Sequence, residues 1–258
     1  MTRRILLWLL AGCVSVVVTV LAYLPASWMG VLLEAQTAGR LTLGDAQGTL
    51  WHGSASVGAA PGPRDPVTPL LPGRFSWRLS PLLLLGQVRL QLENPAALTP
   101  PVSVGGNWSH WQVSAAELRL PAERLAGLGA PLNTIAPSGR MRLSWGPLQL
   151  ARQGQKLDLQ GTLRLEIEDI ASRLSPIKPL GAYLVTMDWR GQRAQLALQT
   201  VKGPLLLNGS GALEQGRLDF SGTAEAAPGQ QEKLANLLNL LGQRRTVAGR
   251  DVIALEFR

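Results

Sequence analysis

The sequence predicts a mainly β fold: an N-terminal transmembrane helix, then an antiparallel β domain outside the cytoplasm, with two short helices and two similar halves. Three observations carry this. Ile5–Leu24 is a stretch of twenty residues without a charge. From residue 40 onward, short segments alternate apolar and polar side chains, the period of a strand with one face in a core and one in water. The 28 Gly and 18 Pro are spread along the chain, punctuating it into short elements joined by turns.

The leader Met1-Thr2-Arg3-Arg4 (residues 1–4) is basic. The apolar stretch after it, bounded at residues 5–26, spans roughly 30 Å as a helix at about 1.5 Å per residue, the thickness of a bilayer core. Its β-branched run Val16-Val17-Val18-Thr19-Val20 weakens a helix in water, but not in lipid, where the backbone has no other partner. Arg3 and Arg4 predict a cytoplasmic N-terminus and everything after Pro25 on the far side. Ile5 and Leu24 bracket this membrane anchor, and Trp28 falls where an interfacial ring is expected. Two alternatives compete with it. A cleaved signal peptide needs a shorter apolar core and small residues before the cut, and Leu24-Pro25-Ala26 is a poor site. Leu10-Ala11-Gly12-Cys13 resembles a lipoprotein box, but eleven apolar residues follow Cys13 where a lipidated tether is normally polar.

Ser27–Gln36 has a short helical pattern. Arg40–Val57 is the first strand group: Leu41 and Leu43 alternate with Thr42 and Gly44, the chain breaks at Gly48, and Trp51 stands just before Gly53. The phrase Asp45-x-x-Gly48-Thr49 recurs as Asp158-x-x-Gly161-Thr162 and Asp219-x-x-Gly222-Thr223, which predicts one kind of strand turn used three times. Five Pro (61, 63, 66, 69 and 72) make Ala59–Pro72 a loop. Strands resume at Arg74–Leu79 and Gln87–Leu92, separated by the apolar connector Pro81–Gly86, and continue at Val102–Ser109 and Gln112–Leu120.

Pro121–Leu128 reads as a short helix stopped by Gly129. The loop through Pro131 and Pro137 divides the β region into residues 39–130 and 138–258. Strands return at Gly139–Trp145, Leu148–Arg152, Leu157–Ile170, Leu184–Trp189, Ala194–Thr200, Leu205–Leu213 and Arg217–Ala224. Trp77, Trp145 and Trp189 end strands of the same shape, which supports two halves built alike. Trp at strand ends reads as core filler, the alternative being a row of Trp on an open sheet face that binds a lipid or a partner strand. Gln230–Leu241 is the second short helix, with Leu234, Leu237, Leu238 and Leu241 at helical spacing. Asp251–Phe257 is the last strand.

The net charge is +8, and all but four of the 25 basic residues are Arg. They are scattered singly at strand positions, without the basic stripe that phosphate backbones require, so nucleic acid is not an expected partner. With one cysteine, Cys13, and two histidines, His52 and His110, no disulfide, zinc site or cofactor is expected. His52 and Ser54 share a strand face, but no acid is fixed beside them and no Gly-x-Ser-x-Gly elbow exists, so no catalytic residue is assigned. Glu166, Glu168 and Asp169 read as an exposed polar strand end. Gly209 and Gly211 lack the Lys and helix of a phosphate loop and read as a bulge or turn.

Several phrases together resemble the type II secretion system protein N family (general secretion pathway protein N). They are Leu24-Pro25-Ala26-x-Trp28, Gly48-Thr49-Leu50-Trp51-His52-Gly53-Ser54-Ala55 and Trp77-Arg78-Leu79-x-Pro81, then Gly139-x-Met141-x-Leu143-x-Trp145, Gly203-Pro204-Leu205 and Leu237–Gly242. Gly48, Thr49, Leu50, Trp51 and Gly53 form the most specific of them, a signature read as structural. The resemblance implies a non-enzymatic, single-pass inner-membrane protein with a periplasmic antiparallel β domain. It would be an accessory part of the machine that moves folded proteins across the outer membrane, with other secretion components and inner-membrane lipid as partners. The alternative is a periplasmic β-groove protein that binds or transfers lipid. An apolar trough open to solvent favours that alternative, and a filled core favours scaffolding.

Overall fold

The computed structural model describes residues 2–257 except 61, 63–64, 130–131, 155, 215 and 248–249. Pro61, Pro63 and Pro131, assigned above to loops, lie outside the described residues, as does Met1. Helices α1 (Thr2–Ala22) and α2 (Ser27–Gln36) open the chain. The first strands are β1 (Leu41–Gly48), β2 (His52–Ala59), β3 (Thr68–Pro69), β4 (Phe75–Leu79), β5 (Gln87–Glu93), β6 (Leu98–Thr99), β7 (Val102–Asn107), β8 (His110–Val113) and β9 (Ala116–Pro121). After the four-residue α3 (Leu132–Ile135) come β10 (Ser138–Trp145), β11 (Leu148–Gln153), β12 (Lys156–Ala171), β13 (Gly181–Gly191), β14 (Arg193–Lys202), β15 (Leu205–Glu214) and β16 (Arg217–Ala226). Helix α4 (Gln231–Leu241), β17 (Gln243–Val247) and β18 (Arg250–Phe257) complete it. Among the described residues all strands belong to one antiparallel sheet of 18, so the mainly β, antiparallel expectation holds. The two predicted short helices are present, the first as a 3-10 turn at Ala122–Leu128 and the second as α4.

The N-terminal anchor is not established. Among the described residues no helix is long and apolar enough to cross a membrane. The described side chains of α1 run unbroken from Leu7 to Ala22, sixteen residues, against the roughly twenty that a crossing takes. Its large apolar side chains from Leu7 to Val20 are exposed all round, with nothing of the β domain packed on them.

The sheet forks at β12. One edge of that sixteen-residue strand pairs with β11 near Lys156–Gln160 and with β10 from Leu163 onward. The β11 limb continues through β8, β7, β5 and β4 to β2 and β1, while the β10 limb continues to β9 and β6. Between the limbs lies the best-packed core, where Phe75 and Val102 of one meet Leu98 and Ala116 of the other, with Trp145 against them. The Trp145 indole donates to the Ser114 carbonyl at 3.0 Å, across the gap between β8 and β9. Gly161 sits in the crotch: a Cβ there would come within 2.5 Å of the Leu148 side chain. Pairings β9–β10 and β8–β11 carry the sheet across residues 130–137.

From β12 to β16 the sheet is a plain meander closed by β18. Its apolar face runs Leu165, Val185, Leu198, Gly209, Gly222, Leu255 from strand to strand. Helix α4 covers one end of that face. Leu234 and Leu237 are buried against Leu180 and Leu205, and Leu238 reaches Leu207, Ala224 and Ile253. The Leu241 side chain lies outside the described residues.

Two expectations are corrected here. Of the three Asp-x-x-Gly-Thr phrases only the first is a turn. Gly161 and Gly222 lie inside β12 and β16, the one relieving the fork and the other paired with Gly209. Gly209 and Gly211 form neither a bulge nor a turn. They lie in unbroken register in β15, and the Phe220 ring lies over the Gly209 position. Small additions also appear: β3 within the proline-rich loop, β6, α3 and β17.

Candidate functional site

The antiparallel pairing sends β1, β4 and β7 toward one end of the sheet and β2, β5 and β8 away from it. Turns Thr49–Trp51, Pro81–Gly86 and Asn107–Ser109 therefore share that end, and α1 leaves from it.

The signature turn makes the joint. Leu50 N donates to the Leu24 carbonyl at 2.7 Å, Ala26 N to the Gly48 carbonyl at 3.1 Å, and Pro25 bridges to Thr49. The last carbonyls of a helix have no partner within it. Here the Trp51 indole N–H donates to the Leu21 carbonyl at 2.7 Å, capping the last turn of α1 from the sheet side. Trp51 is 7% exposed, so its ring is buried and its one polar atom satisfied, as an indole in a core requires.

A second Trp locks the turn from below. The Trp77 indole donates to the Leu50 carbonyl at 3.0 Å, and Leu79 N donates to the Trp51 carbonyl at 2.7 Å. Trp77 packs with Ala26 and Ala55, and Met29, Leu43 and Leu92 surround them, so α2 is seated on the start of the sheet. The two signature glycines follow from this crowding. Gly48 has φ +87°, which favours glycine, and a Cβ there would collide with the His52 carbonyl. A Cβ on Gly53 would enter the Trp77 ring and lie 2.8 Å from the Thr49 carbonyl. Thr49 closes the turn through its N–H to the His52 carbonyl at 2.8 Å, and its Oγ1 accepts from His52 N at 3.2 Å.

Beside the joint, β1 carries a bulge between Gly44 and Gln47, with Asp45 at φ +49°. The Arg74 guanidinium bonds the Asp45 carboxylate and donates to its carbonyl at 2.7 Å and to Ser54 Oγ at 3.2 Å. The hydrogen bond from Arg74, then that from Gln47, then the Arg74 charge hold the Asp45 carboxyl below its ordinary value.

The sequence-named residues are thus separated into two groups. Gly48, Thr49, Leu50, Trp51 and Gly53 meet Leu24 in the joint. Ile5 lies exposed near the far end of α1, and Trp28 is exposed at the start of α2. Trp77 sits in the core as expected, while its bond to Leu50 was not foreseen. The only sequence signal for it was the shared Trp-ending strand shape.

His52 and Ser54 do face the same side, beside a concavity of about 490 Å³. His52 is exposed and stands opposite Arg78, so a cation neighbours it instead of the carboxylate a general base needs. His110 is exposed at the start of β8, 3.2 Å from Ser109 Oγ. Glu166 and Glu168 are half-buried and Asp169 is exposed, and arginines match all three. Arg140 lies 3.4 Å from Glu168 and 2.6 Å from Asp169, and Arg142 lies 3.5 Å from Glu166. Among the described residues no group of three or more His, Cys, Asp or Glu could hold a metal ion.

Gly48, Thr49, Trp51 and Gly53 each make a backbone bond or a close packing contact in the joint. Comparison with known proteins agrees on the lineage. No curated protein and no solved structure matches the chain. The family model of type II secretion system protein N matches residues 39–252, from just before β1 into β18. The chain belongs to the type II secretion system protein N family, and is by that membership a component of a bacterial protein-secretion machine.

Proposed function

We propose that the chain is a single-pass accessory component anchored in the inner membrane by α1, with the sheet in the periplasm, acting without catalysis through contacts with other secretion components. The observation that carries this reading is the joint. Three hydrogen bonds and the buried Trp51 fix the sheet to the C-terminal end of an apolar helix whose described large side chains from Leu7 to Val20 are exposed. In the sequence the uncharged stretch extends over Ile5–Leu24, sufficient for a bilayer, and the lipoprotein alternative at Cys13 would cut α1 in two. Residues 39–130 and 138–258 are read as two halves joined at the fork.

Contact by strand addition needs an unpaired edge. The outer edge of β1 is broken by the bulge at Asp45, a device that blunts edge pairing. Strand β17 pairs only with β18 among the described residues, so it is the edge we assign to a partner strand. The test is a photo-crosslinking residue at Arg245, exposed on β17, in the full chain in native membranes. Secretion components in the adducts support the reading. Adducts free of them, with phospholipid enriched, favour the alternative.

That alternative, a lipid-binding or lipid-transfer groove, has one observation in its favour. Between the fork core and α4, the apolar face at Leu163, Leu165, Val185, Met187, Leu196 and Leu198 is only half-buried. Phospholipid co-purifying with the chain, and lost on Leu198→Glu, would support it.

A further inference from the structure

The turn Pro81–Leu85 is built against the usual pattern, since a turn that faces water is normally polar. Here four leucines follow one proline in a 3-10 turn, capped by Ser80 Oγ accepting from Leu82 N at 3.3 Å and ended by Gly86. Leu84 is 54% exposed and Leu85 79%. Trp108, from the neighbouring turn, is 61% exposed. Its indole N–H donates to the Leu83 carbonyl at 3.0 Å, so the polar atom is engaged within the protein and the ring adds to the apolar knob.

The position of this knob is fixed by the joint. Leu79 N binds the Trp51 carbonyl, and the Trp51 indole binds the end of α1. Pro81 follows Leu79 by two residues, at most about 7 Å of chain. The knob therefore stands beside the exit of α1, and Tyr23 and Trp28, two and three residues from the Pro25 bridge to Thr49, are exposed. Next to it is a concavity of about 530 Å³ whose wall includes Arg78, Arg89, Ser80 and Ser103 and no carboxylate. Among the described residues neither Arg78 nor Arg89 forms an ion pair, whereas Arg74, Arg140 and Arg142 all do.

Exposed Leu and Trp with unpaired Arg alongside are the chemistry of a protein surface that sits in a bilayer interface and holds anionic headgroups. We infer that this end of the sheet is a second membrane contact. Leu84, Leu85 and Trp108 enter the interfacial layer of the bilayer that α1 occupies, and Arg78 and Arg89 bind the phosphate of an anionic phospholipid. The inference rests on the anchor reading of α1.

The test uses the full chain with Cys13→Ser, labelled with a fluorophore at Leu85→Cys or, separately, at Val16→Cys. It is reconstituted in vesicles of phosphatidylethanolamine and phosphatidylglycerol. Nitroxide lipid is expected to quench both labels, with aqueous iodide quenching neither. Adding Arg78→Ala or Arg89→Ala is expected to lower the docked-to-free ratio read at Leu85 by about fivefold each. If iodide quenches the Leu85 label while nitroxide lipid quenches the Val16 label, the second contact is wrong and the anchor stands. If iodide quenches the Val16 label, the anchor reading fails and this inference with it. Docking at Leu85 that is indifferent to both arginines overturns the phosphate site.

Discussion

The indole N–H of Trp51 and the carbonyl of Leu21 meet at 2.7 Å, thirty residues apart in sequence. This bond ties the hairpin that begins the sheet to the last turn of the helix before it. Removing the N–H while keeping a ring, by Trp51→Phe, is expected to cost about 1 kcal/mol, the net worth of one hydrogen bond. Removing the ring, by Trp51→Ala, is expected to cost about 3–5 kcal/mol. Denaturant unfolding of the full chain in detergent measures both. Equal losses in the two variants would mean that the ring contributes nothing beyond the bond.

Gly53 and Gly105 make a matched pair for testing the crowding at the joint. A Cβ at Gly53 enters the Trp77 ring, while a Cβ at Gly105 meets nothing within 4 Å. Gly53→Ala is expected to destabilise by about 1–3 kcal/mol through overpacking. Gly105→Ala should be neutral, or stabilising by a few tenths of a kcal/mol through the unfolded chain. Thermal midpoints of the two variants, compared directly, decide it.

Tyr183 is buried with its hydroxyl 2.9 Å from the Leu205 carbonyl and 3.3 Å from that of Leu180. Burial raises its pKa above the ordinary tyrosine value. The folded state thus holds this proton more tightly than the unfolded state. The stabilisation is complete below pH about 10 and is lost as pH rises above it. Unfolding free energies measured from pH 8 upward should fall above pH about 10, and Tyr183→Phe should remove part of that fall. A slope unchanged by the substitution would place the alkaline sensitivity elsewhere.

Asp45 gives the opposite sign. Its carboxyl is depressed by the bonds from Arg74 and Gln47, so the paired state is complete above pH about 4 and is lost as pH falls below it. In Arg74→Ala the Asp45 pKa should move upward, read by carboxyl carbon chemical shifts. An unmoved titration would mean that the Arg74 contact is absent in solution.

Much of the architecture was legible because it is written in side-chain period. Alternation placed most strands from Phe75 to Phe257 to within a few residues, and the Leu234, Leu237, Leu238 spacing placed α4. But Gln112–Leu120, read as one strand, is two, β8 and β9, which break at Ser114–Ala115 and join different limbs of the fork. Strand β17 was missed because Gln243-Arg-Arg-Thr-Val247 carries no alternation. Strands β3 and β6, two residues each, are too short to have a period at all. The fork at Gly161 was invisible, since the change of partner from β11 to β10 depends on distant residues packing around an absent Cβ. The same limit applies at the joint. That Trp51 is a packing anchor could be read from its place between two glycines, but its partner is a backbone carbonyl, and every residue has one. Gly209 and Gly211 were misread because a glycine that makes room for Phe220 and a glycine that bends the chain look the same in sequence.

In the proposed topology the sheet hangs from α1 on the periplasmic side of the inner membrane. Paired C-terminal fusions of the full chain test it most directly, one to alkaline phosphatase, which is active only outside the cytoplasm, and one to a fluorescent protein that matures only inside it. That topology predicts an active phosphatase and a dark fluorescent fusion, both in the membrane fraction. A bright fluorescent fusion with an inactive phosphatase would contradict it.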